Sequence, residues 1–329
     1  MLGPGNGELK MKIFRHYRDV PDACKGAVVA LGNFDGVHLG HQALIAEAGR
    51  MARERGAPLG VLAFEPHPQE FFRPSPESFR LTPFRAKARL IAELGADILF
   101  AQTFDAEMAQ KSAQQFVLDV LVDGLGAGAI VVGEDFQFGK GRAGNTTVLA
   151  YMGEQEGFGV TLFKPVASDG HEKISSTEIR DALKRGAPQD AARLLGHYWS
   201  VEARVEHGDK RGRALGFPTA NMRLVDCLKP AFGIYAVRAK IFEDDGSSAS
   251  HDGVANFGMR PMFQVETPLL ETFLFDFDGD IYGKHMAVEL IAYLRPEAKL
   301  ESLAALKAQI AKDSDDARKV LASLHHGRA

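Results

Sequence analysis

The hydrophobic rhythm of this chain changes once along its length, and that change limits it to two domains of different class. Up to about residue 184, short apolar runs at 28–31, 59–64, 98–100, 129–132 and 160–163 alternate with helical periodicity at 42–54, 84–94, 113–122 and 146–156. Strands that read as unbroken apolar runs are covered on both faces, so the alternation predicts an open parallel sheet flanked by helices. From Tyr198 onward the period becomes two, at 200–205, 233–242, 269–276 and 286–294, with glycine-rich turns between. That pattern predicts an antiparallel sheet or small barrel. Arg185-Gly186-Ala187-Pro188 breaks the chain between the two regimes, followed by a short helical piece at 189–195. The boundary is set there, giving domains 11–186 and 187–329. At the end Leu300, Leu303, Leu306 and Ile310 share one helical face, and Ser314 or Asp315 can cap a last helix reaching Leu324. With 329 residues and 45% hydrophobic content, each domain can bury a core.

Charge and cysteine usage narrow the function classes. A net charge of -4 and a pI of about 6.3 argue against non-specific nucleic-acid binding and against polybasic membrane binding. The expected partners are therefore small molecules, with no nucleic acid and no membrane, and a monomer or weak homo-oligomer. The first ten residues are polar and glycine-rich, with no apolar leader pattern, and read as a loose extension ahead of Met11. Cys24 and Cys227 are far apart and fall in different domains, so a reducing, cytoplasmic location is expected.

The first domain carries the densest chemistry. Gly32-Asn33-Phe34-Asp35-Gly36-Val37-His38-Leu39-Gly40-His41-Gln42 joins the first apolar run to a helix. His38 and His41, three apart, are expected on one face of the first helical turn, with Gly40 between them leaving room for a ligand. A helix N-terminus offers free N–H groups and partial positive charge, which suits phosphate, and two imidazoles can add hydrogen bonds without a permanent charge. Gly32, Phe34, Asp35 and Gly40 are the expected companions at that nucleotide site. Phe64-Glu65-Pro66-His67-Pro68 follows the second run and holds His67 between two prolines, so that it is aimed. Ser175, Ser176, Thr177 and Arg180 open a later helix; Ser175 with Glu178 reads as a capping box, and the same hydroxyls and arginine make an anion cradle. The stretch 131–145 has glycines at 133, 139, 141 and 144 that let the backbone approach a ligand, and Phe136 and Phe138 that can pack on a planar ring or in the core.

In the second domain, residues 208–216 hold three glycines and three basic residues, including Gly208, Lys210, Arg213 and Gly216, which suits a phosphate loop or a solvated basic turn. It is not a Walker A sequence. Thr219 and Asn221, two apart in an extended stretch, can face one way and offer two neutral oxygens to Mg2+. Glu271 shares a strand face with Leu269, Phe273 and Phe275. A carboxylate on such a face is either functional or at a partly exposed rim.

Together GNFDGVHLGHQ, FEPHP, VVGEDFQFG and ISSTEIR, followed by GRALGFPTAN, GVANFGMRP, LETFLFDFDGDIYGK and LKAQIAKD, resemble the prokaryotic bifunctional riboflavin kinase/FAD synthetase family from about residue 12 to the end. The resemblance implies a Rossmann-like α/β nucleotidyltransferase domain followed by an antiparallel β-barrel, riboflavin kinase-like domain with a C-terminal helix. It implies Mg2+-dependent phosphorylation of riboflavin by ATP to FMN, then adenylylation of FMN to FAD. His38 and His41 would hold ATP phosphates, Ser176, Thr177 and Arg180 the leaving pyrophosphate. His67, Pro68, Asp135, Phe136, Phe138 and Arg142 would line the flavin site. Thr219 and Asn221 would bind Mg2+–ATP, and Glu271 would activate the 5′-hydroxyl. Gln137 stands where the family usually has Arg, Asn145 where it usually has Asp, and Met259 and Met262 depart from positions more often polar. The alternative is a riboflavin kinase or flavin binder with a weakened first domain.

Overall fold

The structure, a computed structural model, describes residues 11–75, 77–164, 174–207, 216–243, 245, 247–262, 265–299 and 301–326. Two compact units make up the chain. The first comprises Leu9–Pro76 and Phe84–Ser175; the second comprises Glu77–Pro83 and Ser176–Ala329.

In the first unit the strands are β1 (Lys12–Phe14), β2 (Val28–Leu31), β3 (Leu59–Glu65), β4 (Ile98–Thr103), β5 (Ala129–Gly133), a short hairpin of β6 (Gln137–Phe138) and β7 (Gly144–Asn145), and β8 (Gly159–Phe163). Its helices are α1 (Leu39–Arg55), α2 (Pro68–Phe72), α3 (Phe84–Glu93), α4 (Ala106–Gln110), α5 (Ala113–Gln115), which continues as a π-helical stretch Phe116–Gly124, and α6 (Thr146–Glu156). The main sheet is parallel throughout, in the order β1-β4-β3-β2-β5-β8. Successive residues of each strand go to opposite faces. Val29, Leu31, Leu62, Phe64, Phe100 and Ile130 pack on one side with Phe116, Val120 and Leu149. Val28, Ala30, Val61, Leu99 and Val131 pack on the other with Leu44, Ile45, Ala48 and Ile91. This two-sided burial is why the strands read as apolar runs. Between β2 and β5 the chain's progression reverses direction, so their carboxyl ends open a crevice of the kind that holds ligands in such sheets.

The second unit contains α7 (Ser176–Lys184), α8 (Pro188–Leu195), β9 (Ser200–Arg204), β10 (Thr219–Arg223), β11 (Gly233–Phe242), β12 (Ser248–Met262), β13 (Val265–Leu274), β14 (His285–Arg295) and α9 (Leu303–His326). Its antiparallel sheet runs β10-β13-β12-β11-β14-β9 and curls until a single bridge, Glu206 to Asn221, joins the chain after β9 to β10. The enclosed face carries Met222, Leu270, Phe257, Tyr235, Val237, Met286, Val288 and Leu290, all 1% exposed or less. On the opposite face Ile234, Ala236, Val254 and Phe273 lie under Ala317 and Leu321 of α9. Two arginine–carboxylate forks fix that helix: Arg295 to both oxygens of Asp313 at 2.8 and 2.6 Å, and Arg318 to both oxygens of Asp276 at 2.9 and 3.1 Å.

Two sequence expectations change here. One helix, not two, closes the chain: Ser314 is interior, its hydroxyl donating to the Ile310 carbonyl at 2.8 Å, and so it caps nothing. The face headed by Leu303 is not the buried one, since Leu303 is 61% exposed while Ala317 and Leu321 are covered. Residues 77–83 and 176–186 pack within the second unit. Trp199 Nε1 donates to the Leu81 carbonyl at 2.7 Å, Leu228 N to Arg80 O at 2.7 Å, and Ala231 N to Leu183 O at 3.0 Å. Strand β12 also escaped the period-two reading, because its first residues, Ser248-Ala249-Ser250-His251-Asp252-Gly253, resemble a loop; ten-residue pairing with β11 makes them a strand.

One buried group on the enclosed face is out of place. Thr272 is 0% exposed, between its register partners Ala220 and Ala255, and its Oγ1 has no hydrogen-bond partner among the described residues. Removing an unmet buried hydroxyl recovers its desolvation penalty, so Thr272→Val is expected to stabilise the protein by about 1 kcal/mol. A higher urea midpoint at unchanged m-value is the expected result; a lower one would show that the hydroxyl is satisfied.

Candidate active sites

The turn after β2 is conformationally unusual. Phe34, Gly36 and Val37 have φ of 52°, 85° and 44°. For a β-branched residue such as Val37 this is strained backbone, held only where its surroundings demand it. Gln42 supplies part of that demand, with Nε2 donating to the Val37 carbonyl at 2.9 Å. The turn delivers His38 to the N-cap of α1, not to its first turn as the spacing suggested. His41 is the third helical residue, and its backbone N–H donates to His38 Nδ1 at 3.3 Å. The two imidazoles stack, with centroids 3.6 Å apart, and Phe34 meets His41 edge-on at 5.2 Å.

That cap decides the chemistry of His38. Because Nδ1 accepts, the proton of the neutral ring belongs on Nε2, which becomes a donor. Gly40 leaves room for the ring itself, since a Cβ there would lie 3.3 Å from His38 Cε1 and Nδ1, a tight contact. Phe34 and Asp35 are 0% and 3% exposed, so both are buried, Phe34 as a core ring.

Three loops lie at neighbouring strand ends of this sheet: the turn after β2, the segment after β3, and 133–145 after β5. His67 caps α2 through Nδ1, which accepts from Gln69 N at 3.1 Å, and Pro68 is the first helical residue. Asp135 and Arg142 are exposed. Phe138 is buried in the core against Phe116 at 5.4 Å, which leaves Phe136, stacked on it at 5.6 Å, as the half-exposed ring. Asn145 caps α6, its Oδ1 accepting from Val148 N at 3.0 Å, a task that Asp performs equally well. Gln137 is exposed on the hairpin.

Sequence reasoning missed two features here. Phe71 and Phe72, 39% and 62% exposed, meet Phe104 edge-on at 5.5 and 5.7 Å beside His67. Lys87, 2% exposed, pairs with Glu65 at 2.7 Å where β3 ends. A lysine inside an amphipathic helix looks solvated in sequence; only the sheet edge beneath α3 makes it buried.

In the second unit Ser176, Thr177 and Arg180 lie on α7, immediately after Ser175. Arg180 is oriented by Phe79, with Nε donating to its carbonyl at 2.8 Å and the guanidinium 5.0 Å over its ring. Gly208, Lys210 and Arg213 lie outside the described residues; Gly216 is exposed, with φ of 89°. His207, just ahead of that stretch, stacks on Tyr282 at 4.0 Å.

Register places the remaining candidates together. Asn221 pairs directly with Glu271, which pairs directly with Asn256; Thr219 pairs with Phe273. Direct partners point the same way with Cβ atoms about 5 Å apart. Glu271 is half-buried, on the face that α9 borders, while its neighbour Thr272 points to the enclosed face. Glu271 thus stands at the edge of an apolar patch, not within one. Asn221 is 7% exposed, and its Nδ2 donates to the Thr219 carbonyl at 3.4 Å, which turns Oδ1 into the acceptor that remains. Among the described residues no cluster of His, Cys, Asp and Glu fits a metal ion. Thr219 and Asn221 are hard neutral oxygen donors, and they fit Mg2+ whose charge is balanced by nucleotide phosphates.

A family model described as FAD synthetase matches residues 20–178, and one described as riboflavin kinase matches residues 195–321. A bifunctional riboflavin kinase/FMN adenylyltransferase of Escherichia coli (strain K12) is 40% identical over 309 residues, covering 94% of this chain and 97% of its own. Its counterpart in Pseudomonas fluorescens is 39% identical over 317 residues, covering 96% and 100%. A crystal structure described as a macrolide-efflux protein from Streptococcus pneumoniae superposes with a TM-score of 0.80 at 29% identity, over 94% of this chain and 98% of that one.

The Lys87–Glu65 pair holds the end of β3 from which the His67 segment departs. Removing Lys87 takes a charge partner from the buried Glu65 carboxylate, so Lys87→Met is expected to destabilise by about 3 kcal/mol, and adding Glu65→Leu to recover most of that. A loss below about 0.5 kcal/mol in urea unfolding of the single variant would show the pair to be incidental.

Proposed function

We propose, from the premise that this chain belongs to the bifunctional riboflavin kinase/FMN adenylyltransferase family, that each activity is carried by its own set of residues. The C-terminal half phosphorylates riboflavin to FMN with ATP. The N-terminal half adenylylates FMN to FAD and releases pyrophosphate. The functional boundary is proposed near residue 186. No helix among the described residues is long and apolar enough to cross a membrane; a cytoplasmic, monomeric or weakly self-associating enzyme that binds no nucleic acid is proposed.

For the kinase step the carrying observation is the register that sets Asn221 against Glu271. It puts a neutral oxygen donor for Mg2+–ATP about 5 Å from a half-buried carboxylate. Glu271 takes the proton of the riboflavin 5′-hydroxyl as that oxygen attacks the γ-phosphorus, and ADP leaves. Thr219 and Asn221 would hold Mg2+, which when bound would supply charge to neutralise the phosphates. Gly208, Lys210, Arg213 and Gly216 are proposed to cradle those phosphates on the strength of the sequence.

For the adenylyl step His38 gives its Nε2–H to a phosphate oxygen, and the open N–H groups of α1 add to it. The FMN phosphate attacks the α-phosphorus of ATP, and positioning with charge stabilisation supplies the catalysis. Phe136, with Phe71, Phe72 and Phe104, offers aromatic surface to the flavin near His67 and Pro68; Asp135 and Arg142 are proposed at its polar edge. Ser176, Thr177 and Arg180 are proposed to hold pyrophosphate, on the resemblance. Retention of the α6 cap by Asn145 favours a working first unit over a degenerate one.

Incubation with riboflavin, ATP and Mg2+, with FMN and FAD resolved by chromatography, tests both halves. His38→Ala is expected to lower FAD formation by about 100-fold or more and to spare FMN formation. Glu271→Gln is expected to lower FMN formation by about 100-fold or more and to spare adenylylation of supplied FMN. Loss of both products in either folded variant would refute the assignment to separate sets of residues.

A further inference from the structure

We infer that Asn256 binds the ribityl chain of the flavin, its side-chain oxygen accepting a hydrogen bond from a secondary hydroxyl next to the one that reacts. This rests on the reading of Glu271 as the residue that meets the 5′-hydroxyl. The observation behind it is a buried acceptor with nothing to accept. Asn256 Oδ1 is shielded from solvent and has no hydrogen-bond partner among the described residues. Native proteins keep few such groups, and each calls for an explanation.

Position supplies the explanation. Asn256 is the direct cross-strand partner of Glu271 on β12, so the two side chains rise from the same face about 5 Å apart. The sheet itself cannot satisfy the amide. Its other direct partner is Ile234, and along β12 the same face continues with Val254 on one side and Gly258 on the other. None of these three side chains carries a donor. Gly258 has no side chain, and the group nearest where a Cβ would stand is the Glu297 carboxylate, which is an acceptor only. The donor that Asn256 lacks among the described residues is one that a ligand can bring.

A ribityl chain fits that demand. It presents hydroxyls on successive carbons, so when its primary hydroxyl lies at Glu271 its secondary hydroxyls fall within one cross-strand spacing, over Asn256. An amide suits a polyol, because Oδ1 can accept from one hydroxyl while Nδ2 donates to the next. No bond is made or broken at Asn256; it selects and holds the substrate.

The test compares wild type, Asn256→Leu and Asn256→Ala on riboflavin and on analogues that each lack one ribityl secondary hydroxyl. Asn256→Leu is nearly isosteric and removes the unmet acceptor, so its melting temperature is expected to hold or rise. Its KM for riboflavin is expected to rise about tenfold with kcat and the pH profile unchanged, the mark of a uniform binding contact. For one analogue, the one missing the bound hydroxyl, wild type and variant are expected to show the same KM, because a site built for a hydroxyl loses its advantage when the hydroxyl is gone. If Leu does not fold, Ala provides the same comparison. An unchanged KM for riboflavin, or an equal rise for riboflavin and every analogue, would overturn the inference. Glu271→Gln is assayed in parallel: full activity there would refute the base, and it would leave the hydroxyl coupling at Asn256 to be read independently from KM.

Discussion

The first N–H groups of a helix have no partners within it, and the first unit is organised around what meets those of α1. His38 takes one of them through Nδ1. To reach that position the chain after β2 passes through left-handed backbone at Phe34, Gly36 and Val37, a conformation tolerated because Phe34 is sealed in the core and Gln42 ties down the Val37 carbonyl. The cap then fixes the imidazole's tautomer, and the tautomer makes Nε2 a donor at the open end of a helix dipole. Helix start, strained turn and the proposed phosphate contact are therefore one arrangement. Its place in the sheet is equally constrained, because the turn emerges beside the end of β5, where the strand order reverses.

The second unit reaches its chemistry by register. The row Asn221, Glu271, Asn256 exists because three antiparallel strands align at one position, and a one-residue slip of any of these strands would send its member of the row to the enclosed face. The apolar neighbours on the same face are covered by α9, whose two arginine forks hold it on β14 and beyond the end of β13. Polar chemistry sits at the margin of that covered patch, where a carboxylate can be half-buried without being isolated.

Much of this was legible along the chain. The apolar runs located five strands of the first sheet, β8 among them as a partly exposed edge, and the motif after 31 located the helix that carries His41. Other features were hidden for definite reasons. The strand β12 opens with serines and glycine, and pairing rather than propensity makes it a strand. Ser314 looks like a helix start until its hydroxyl is seen turned back on Ile310. Lys87 carries no local mark of burial, and Phe138 carries none to distinguish a core ring from a ligand-facing one. The segment 77–83 gives no sign that it packs beside Trp199, more than a hundred residues later.

The sequence by itself determined which residue types were present for the chemistry and the class of each half, because hydrophobic periodicity and turn composition are local properties of the chain. It also determined that Thr219 and Asn221 share a face, since alternation along a strand needs no partner. Only the tertiary structure decided what those residues meet. Which imidazole nitrogen is left to donate, which carboxylate stands beside which amide, and which buried acceptor goes unmet all depend on contacts between segments far apart in the chain. Such contacts are set by strand register and helix docking, and neither is encoded in any single stretch of residues.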